Sequence, residues 1–342
     1  PAKSLRARCQ LNMSKIIKAQ QFWIQSPGHG EIVNAELSPR QADQVLIRAI
    51  FSGISRGTES LVFKGEVPES QYQAMRAPFQ EGTFPGPVKY GYASVGEVQE
   101  NEGGNDLEGR TVFCLYPHQD VYHVPVSEVT LVPEDVPAGR AVLAASMETA
   151  VTIMWDARPT AGDRIVVIGA GVVGLLVAWL CRQVPGTTVT IVDVNAERLS
   201  VAEALQVAFC IQPTEGVEAD LVIHASGEPD GLRSGLVIAG MESTIIEASW
   251  YGSRSVPLPL GEDFHSRRLT LKSSQVGRVP PDRASRWSRA RRMKLALELL
   301  RAPELDVLIT GESDFAELPI VLARLSAEPS AALCHRIRYP TP

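Results

Sequence analysis

Short apolar segments recur from Ile17 to Val132, each bounded by glycine, proline or polar clusters. Phe22-Trp23-Ile24, Val45 to Phe51, Ala93 to Val98, Thr111 to Leu115 and Val121 to Val124 read as strands, because aromatic and β-branched residues fit a pleated, half-buried surface. Ser26 to Gly30, Phe84 to Pro87 and Asn101 to Gly104 read as the breaks between them. No long amphipathic helix interrupts this series, so the portion is expected to form a compact, barrel-like β unit.

Near Ala141 the pattern changes, and strands then alternate with helices to about Leu271, which implies parallel βαβ units. The expected strands are Arg164 to Ile168, Thr188 to Val192, Val207 to Ile211, Leu221 to His224, Thr244 to Glu247 and Leu269 to Leu271. They are continuous Val/Ile/Leu runs, as strands covered by helices on both faces require. Helices are expected over Gly174 to Gln183, Ala196 to Leu205 and Arg291 to Leu300. The tail adds a strand Val307 to Thr310, a helix Leu318 to Leu325 and a last strand Cys334 to Tyr339. The fold class is therefore α/β, a doubly wound parallel sheet beside a β-rich domain, with divisions at 13–150, 151–300 and 301–342.

Composition narrows the function classes. The 342 residues call for more than one core, and 44% hydrophobic with 21% charged residues is ordinary for a globular protein. A net charge of −6 offers no basic field for nucleic acid or an anionic membrane. The one basic run, Arg283 to Lys294, alternates with apolar residues like a solvated helix face. No apolar run approaches the ~20 residues that span a bilayer. Five scattered cysteines (Cys9, Cys114, Cys181, Cys210 and Cys334) form no Cys-x-x-Cys pair, which points to a reducing cytoplasm. Residues 1–12, ahead of Met13, are expected to be an arm or an upstream extension.

The strongest local signal is Gly169-Ala-Gly-Val-Val-Gly174, between a strand and a helix. Gly169 permits the tight turn, Gly171 lets backbone approach a pyrophosphate, and Gly174 permits close helix–strand packing. The phosphates would face the N–H groups of Val172 and Val173 at the start of the helix. Asp193 ends the next strand, where a carboxylate accepts both adenosine ribose hydroxyls and repels a 2′-phosphate. NAD(H) is the expected cofactor.

The order of parts resembles the medium-chain dehydrogenase/reductase superfamily over nearly the whole chain, from about Lys18 to Tyr339. The resemblance rests on Gly91-Tyr-Ala-Ser-Val-Gly-Glu-Val98, the run from Gly162 to Gly174, Asp193-Val-Asn-Ala-Glu-Arg198 and Arg336-Ile-Arg-Tyr339. Within it, Ser52-Gly-Ile-Ser-Arg-Gly-Thr-Glu59 looks most like the branch containing bacteriochlorophyllide hydroxyethyl dehydrogenase. The resemblance implies a GroES-like catalytic domain, a Rossmann domain and a homodimer paired through the edges of its nucleotide sheets. Zinc members carry Cys in the segment that here reads Gly53-Ile54-Ser55, and His in the segment Gly91-Tyr92-Ala93. Polyol-dehydrogenase-like members add Glu in a segment resembling Ser146-Met147-Glu148. A hydroxyl and a phenol are poor zinc ligands, so no catalytic metal is expected. The open alternative is a metal held by His118, His123 and Glu148.

Without zinc, hydrogen bonds and an acid–base group must manage the hydroxyl proton. Tyr92 is the expected donor, with Lys89 lowering its pKa, Ser55 as relay and Glu148 as orienting group or base. The resemblance assigns Arg56 to the pyrophosphate. Ser226 and Ala248, at strand carboxyl ends, are expected to touch the cofactor. Trp250 and Tyr251 are expected to shape the substrate pocket, and His265 with Arg267 or Arg268 to meet an anionic or polyhydroxylated substrate. The leading expectation is an alcohol–ketone oxidoreductase; the alternatives are a zinc-free quinone or enone reductase and a non-catalytic dinucleotide sensor.

Overall fold

The computed structural model describes residues 16–100, 106–214, 216–328 and 332–340. The expected arm 1–12, Met13 and the turn 101–104 lie outside the described residues. The first portion contains β1 (Lys18–Ser26), β2 (His29–Glu36), β3 (Gln44–Ile54), α1 (Arg56–Phe63), β4 (Glu81–Gly82), β5 (Val88–Lys89) and β6 (Ser94–Glu100). It continues through β7 (Thr111–Cys114), β8 (Val121–Pro125), β9 (Val129–Leu131), α2 (Ala138–Ala141) and α3 (Ala144–Ala157). All the expected strands are present. β2 was not anticipated, because its half-exposed edge sequence lacks an apolar run, and neither was α1. The expected division at 150/151 falls inside α3, which runs unbroken.

The middle portion contains β10 (Arg164–Ile168), α4 (Val172–Cys181), β11 (Thr188–Val192), α5 (Leu199–Ala204), β12 (Ala208–Cys210) and β13 (Ala219–His224). It goes on to α6 (Pro229–Ile238), β14 (Ala239–Glu247), α7 (Asp263–Ser266), β15 (Thr270–Ser273), α8 (Pro281–Ala284) and α9 (Arg289–Leu299). Its six strands form one parallel sheet in the order β12-β11-β10-β13-β14-β15. Residues 165–168 of β10 are buried, as expected of a central strand covered on both faces. α4 is the ten-residue apolar run of the sequence, and seven of its residues are buried. Among the described residues no helix is long and apolar enough to cross a membrane.

The tail, β16 (Ile309–Asp314), α10 (Leu318–Ala327) and β17 (Cys334–Arg338), returns to the first portion. β17 pairs antiparallel with β3, setting Ile337 opposite Ser52, so the last strand completes a sheet begun near residue 44. The crevice of interest lies at the carboxyl ends of β10, β13, β14 and β15, where open parallel sheets bind ligands.

Candidate active site

The glycine loop leaves β10 through Gly169, which has a φ of +108° and donates its N–H to the Val192 carbonyl at 2.8 Å. A Cβ there would lie 2.6 Å from the Ser226 backbone, and one at Gly174 would strike the Gly169 carbonyl oxygen. A Cβ at Gly171 would instead meet nothing within 4 Å. The loop is thus tight against the protein at Gly169 and Gly174 but open at Gly171, just ahead of the uncapped first turn at Val172 and Val173. A pyrophosphate fits such an opening. Asp193 Oδ2 accepts from Ala170 N at 2.6 Å and Oδ1 from Asn195 N at 2.8 Å, which fixes the carboxylate beside the loop. Each oxygen retains a lone pair for a ribose hydroxyl. Arg56, the first residue of α1, reaches this region from the catalytic domain. Burial lowers its pKa, the Arg198 charge adds to the effect and Asp193 partly offsets it.

Ser55 and Tyr92 come together as expected: the Tyr92 phenol donates to Ser55 Oγ at 2.5 Å. Beneath them runs a hydrogen-bonded chain. Ser55 N donates to Glu59 Oε1 at 2.8 Å, and Glu59 Oε2 lies 2.9 Å from His118 Nε2. His118 Nδ1 is 2.7 Å from Ser52 Oγ, which in turn is 3.0 Å from the Tyr339 hydroxyl. Glu59, His118 and Ser52 are buried, and they were not singled out as a unit because their partners are 59 or more residues apart. Gly91, with φ +124°, makes room for the histidine, since a Cβ there would lie 2.8 Å from His118 Cδ2.

Tyr92 is pushed up to about 12 by burial and then by the Glu59 charge. This corrects the expectation that Lys89 lowers it. Lys89 is buried and pairs with Glu81 and with Gln119 Oε1 (2.9 Å), so its charge is spent elsewhere. Glu148 is a second correction. Its Oε1 takes Arg292 Nε at 3.0 Å, and Arg292 also holds Thr152 Oγ1 and the Val276 and Arg278 carbonyls. Burial raises the Glu148 pKa while Arg292 opposes the rise. The acid thus clasps α3 to α9 and to the segment after β15, and shares no hydrogen bond with Ser55 or Tyr92.

Ser55, Tyr92 and Glu148, where the resemblance would place zinc, offer a hydroxyl, a phenol and a carboxylate already paired with arginine, a donor set that does not fit zinc. Nor do His118 and His123 join Glu148: the first faces Glu59 and Ser52, and His123 Nδ1 is 3.1 Å from the Ser38 carbonyl. Among the described residues no group of three or more His, Cys, Asp or Glu is arranged to hold a metal.

Ala248 N donates to the His224 carbonyl at 2.9 Å, beside Ser226, at the crevice floor. Trp250 packs on the catalytic-domain core, and Tyr251 donates to Glu247 Oε2 at 3.0 Å. His265, Arg267 and Arg268 do not reach the crevice. Arg267 donates to the Val237 and Ala239 carbonyls, and Arg268 pairs with Glu242. These contacts lie where β14 begins, the end of the sheet opposite the crevice, with His265 on α7 just ahead of them.

No family model matches the chain. D-guloside 3-dehydrogenase of Escherichia coli K12 is 25% identical over 294 residues, covering 76% of this chain and 81% of that protein. Among solved structures, a protein described as a short chain alcohol dehydrogenase from Escherichia coli CFT073, complexed with NADH, matches with a TM-score of 0.74 at 17% identity. That match covers 94% of this chain and 99% of the other. A putative zinc-binding dehydrogenase from Sinorhizobium meliloti 1021, bound to NADP, matches with a TM-score of 0.75 at 17% identity, covering 94% and 99%. A split β-rich domain, a parallel nucleotide sheet and these relatives define an alcohol dehydrogenase-like oxidoreductase. In sequence and fold the chain is similar to proteins named zinc-type alcohol dehydrogenase-like and zinc-binding dehydrogenase.

Proposed function

We propose that the chain is an NAD(H)-dependent oxidoreductase that interconverts a secondary alcohol and its ketone, and that it works without catalytic zinc. The observation that carries this reading is the Tyr92 phenol donating to Ser55 Oγ at 2.5 Å, in the segments where related enzymes carry metal ligands. A nicotinamide dinucleotide, when bound, supplies or takes the hydride. For ketone reduction, Ser55 donates its hydroxyl proton to the substrate oxygen and is refilled from Tyr92, whose proton returns from water. Tyr92 holds that proton near neutral pH because burial raises its pKa. Glu59 positions the relay by gripping Ser55 N. The relative acting on a guloside makes a sugar ring hydroxyl the first substrate class to screen.

Asp193 supports NAD(H), since a 2′-phosphate would bring roughly two negative charges against its carboxylate. Arg198 supports the second reading, NADP(H), because its charge bears on Arg56 beside Asp193. Free Cys114, Cys181, Cys210 and Cys334 accord with a cytoplasmic enzyme, and β15, an edge strand of the nucleotide sheet, suits pairing into a homodimer. The test measures metal content and titrates NADH and NADPH by fluorescence on one preparation. Tighter NADH binding with substoichiometric zinc is expected. Stoichiometric zinc overturns the metal-free mechanism, tighter NADPH overturns the cofactor choice, and binding of neither overturns the reading.

A further inference from the structure

Five polar side chains outside the Tyr92 site converge at the carboxyl ends of β13 and β14. The His224 side chain is fully buried, with Nδ1 2.8 Å from Glu247 Oε2 and Nε2 2.7 Å from Ser226 Oγ. Tyr251 donates to Glu247 Oε2 at 3.0 Å and stacks on the imidazole at 6.4 Å and 17°. Ser249 N donates to Glu247 Oε1 at 2.7 Å, and Ser249 Oγ accepts from Gly227 N at 3.1 Å. Burial works against ionisation of Glu247, but the His224 and Ser249 bonds outweigh it and hold its carboxyl below the usual value. Ser226 is exposed although its neighbours in this cluster are not.

The place of the cluster in the sheet identifies what it faces. Asp193 follows β11, on one side of the glycine loop; on the other, Ser226 lies two residues past β13 and Glu247 ends β14. Ser226 abuts the loop closely enough that a Cβ on Gly169 would lie 2.6 Å from its backbone. A dinucleotide with its adenosine at Asp193 and its pyrophosphate at Gly171 extends its second riboside toward Ser226.

Resting on the NAD(H) reading above, we propose that His224 and Glu247 are a positioning pair that presents the Ser226 hydroxyl oxygen as a fixed acceptor for the nicotinamide-side ribose. With Nδ1–H donated to the carboxylate, Nε2 accepts the Ser226 O–H. Ser226 Oγ then takes the Glu228 N–H at 3.1 Å with one lone pair and keeps the second for a donor. A ribose hydroxyl is such a donor. Without the imidazole acceptor, the serine proton is free to turn into the crevice and the oxygen loses its defined direction.

The full chain is tested as wild type, Ser226→Ala, His224→Ala, His224→Gln and the double alanine variant, each titrated with NADH and with ADP. ADP reports the adenine half alone. NADH affinity is expected to fall about five- to tenfold in either alanine variant, the scale of one net hydrogen bond, with ADP affinity unchanged. The double variant should be no weaker than His224→Ala, because the two groups act as one unit. His224→Gln, whose amide oxygen accepts the serine proton, should regain part of the loss. Unchanged NADH affinity in Ser226→Ala, or parallel losses of NADH and ADP, overturns the proposal. A wild type that binds ADP but not NADH overturns the cofactor reading instead.

Discussion

Tyr92 can act as a proton donor because its surroundings penalise the phenolate: burial comes first and the Glu59 charge second. The sign follows directly. An acid raised to about 12 is protonated throughout the working range, so Tyr92 contributes no ionisation between about pH 6 and 9. Tyr92→Phe is expected to lower kcat by about 100-fold, the low end of general acid–base effects, while leaving NADH affinity and the shape of the pH profile unchanged. Steady-state rates across that range check this. A wild-type limb near neutrality that disappears in Tyr92→Phe would contradict the assignment. That Ser55 and Tyr92 meet could be anticipated from two short segments of the sequence; Glu59 could not, because its place depends on meeting His118 across the fold.

Between helices, the Glu148–Arg292 pair ties α3 to α9, and Arg292 extends the tie to the carbonyls of Val276 and Arg278 after β15. Both side chains are nearly excluded from water. Removing one partner strands the other charge, so Arg292→Met is expected to cost about 3–5 kcal/mol, read from urea midpoints. Glu148 already has a raised pKa, and losing arginine raises it further. Its native form then holds a proton that the unfolded chain releases above about pH 4.3, so the variant loses stability as pH rises toward 8. Combining Arg292→Met with Glu148→Gln should remove that slope. A pH-independent loss in the single variant would show that Glu148 stays ionised there.

The molecule closes on itself through its tail. β17 lies against β3 and brings Tyr339 to Ser52, so the hydrogen-bonded chain under the active site is completed by residues 287 positions apart. Truncation after Ala302 removes β16, α10 and β17 and leaves Phe51–Ile54 of β3 without the strand that pairs them there. Such a chain is expected to keep ADP binding through the nucleotide sheet while losing turnover and part of its cooperative thermal transition. An unchanged transition would mean that the catalytic domain does not depend on the return strand.

The glycine loop, Asp193, the parallel strands and the apolar α4 could be read from the chain because each depends on short-range pattern: periodicity, turn chemistry and spacing over about thirty residues. The same local logic led to His265 and Arg267 as substrate contacts. They are polar and stand near the crevice-lining segments in sequence, but α7 and the turn after it hold them at the far end of the sheet, where β14 begins. Glu148 looked like a site acid until folding supplied a guanidinium from 144 residues away. Lys89, three residues before Tyr92, was claimed instead by Glu81 and Gln119. Local pattern determines which backbone forms and where a phosphate can approach; the partner of a buried charge is settled by packing between distant elements, because desolvation forces that charge onto whatever counter-charge the fold delivers.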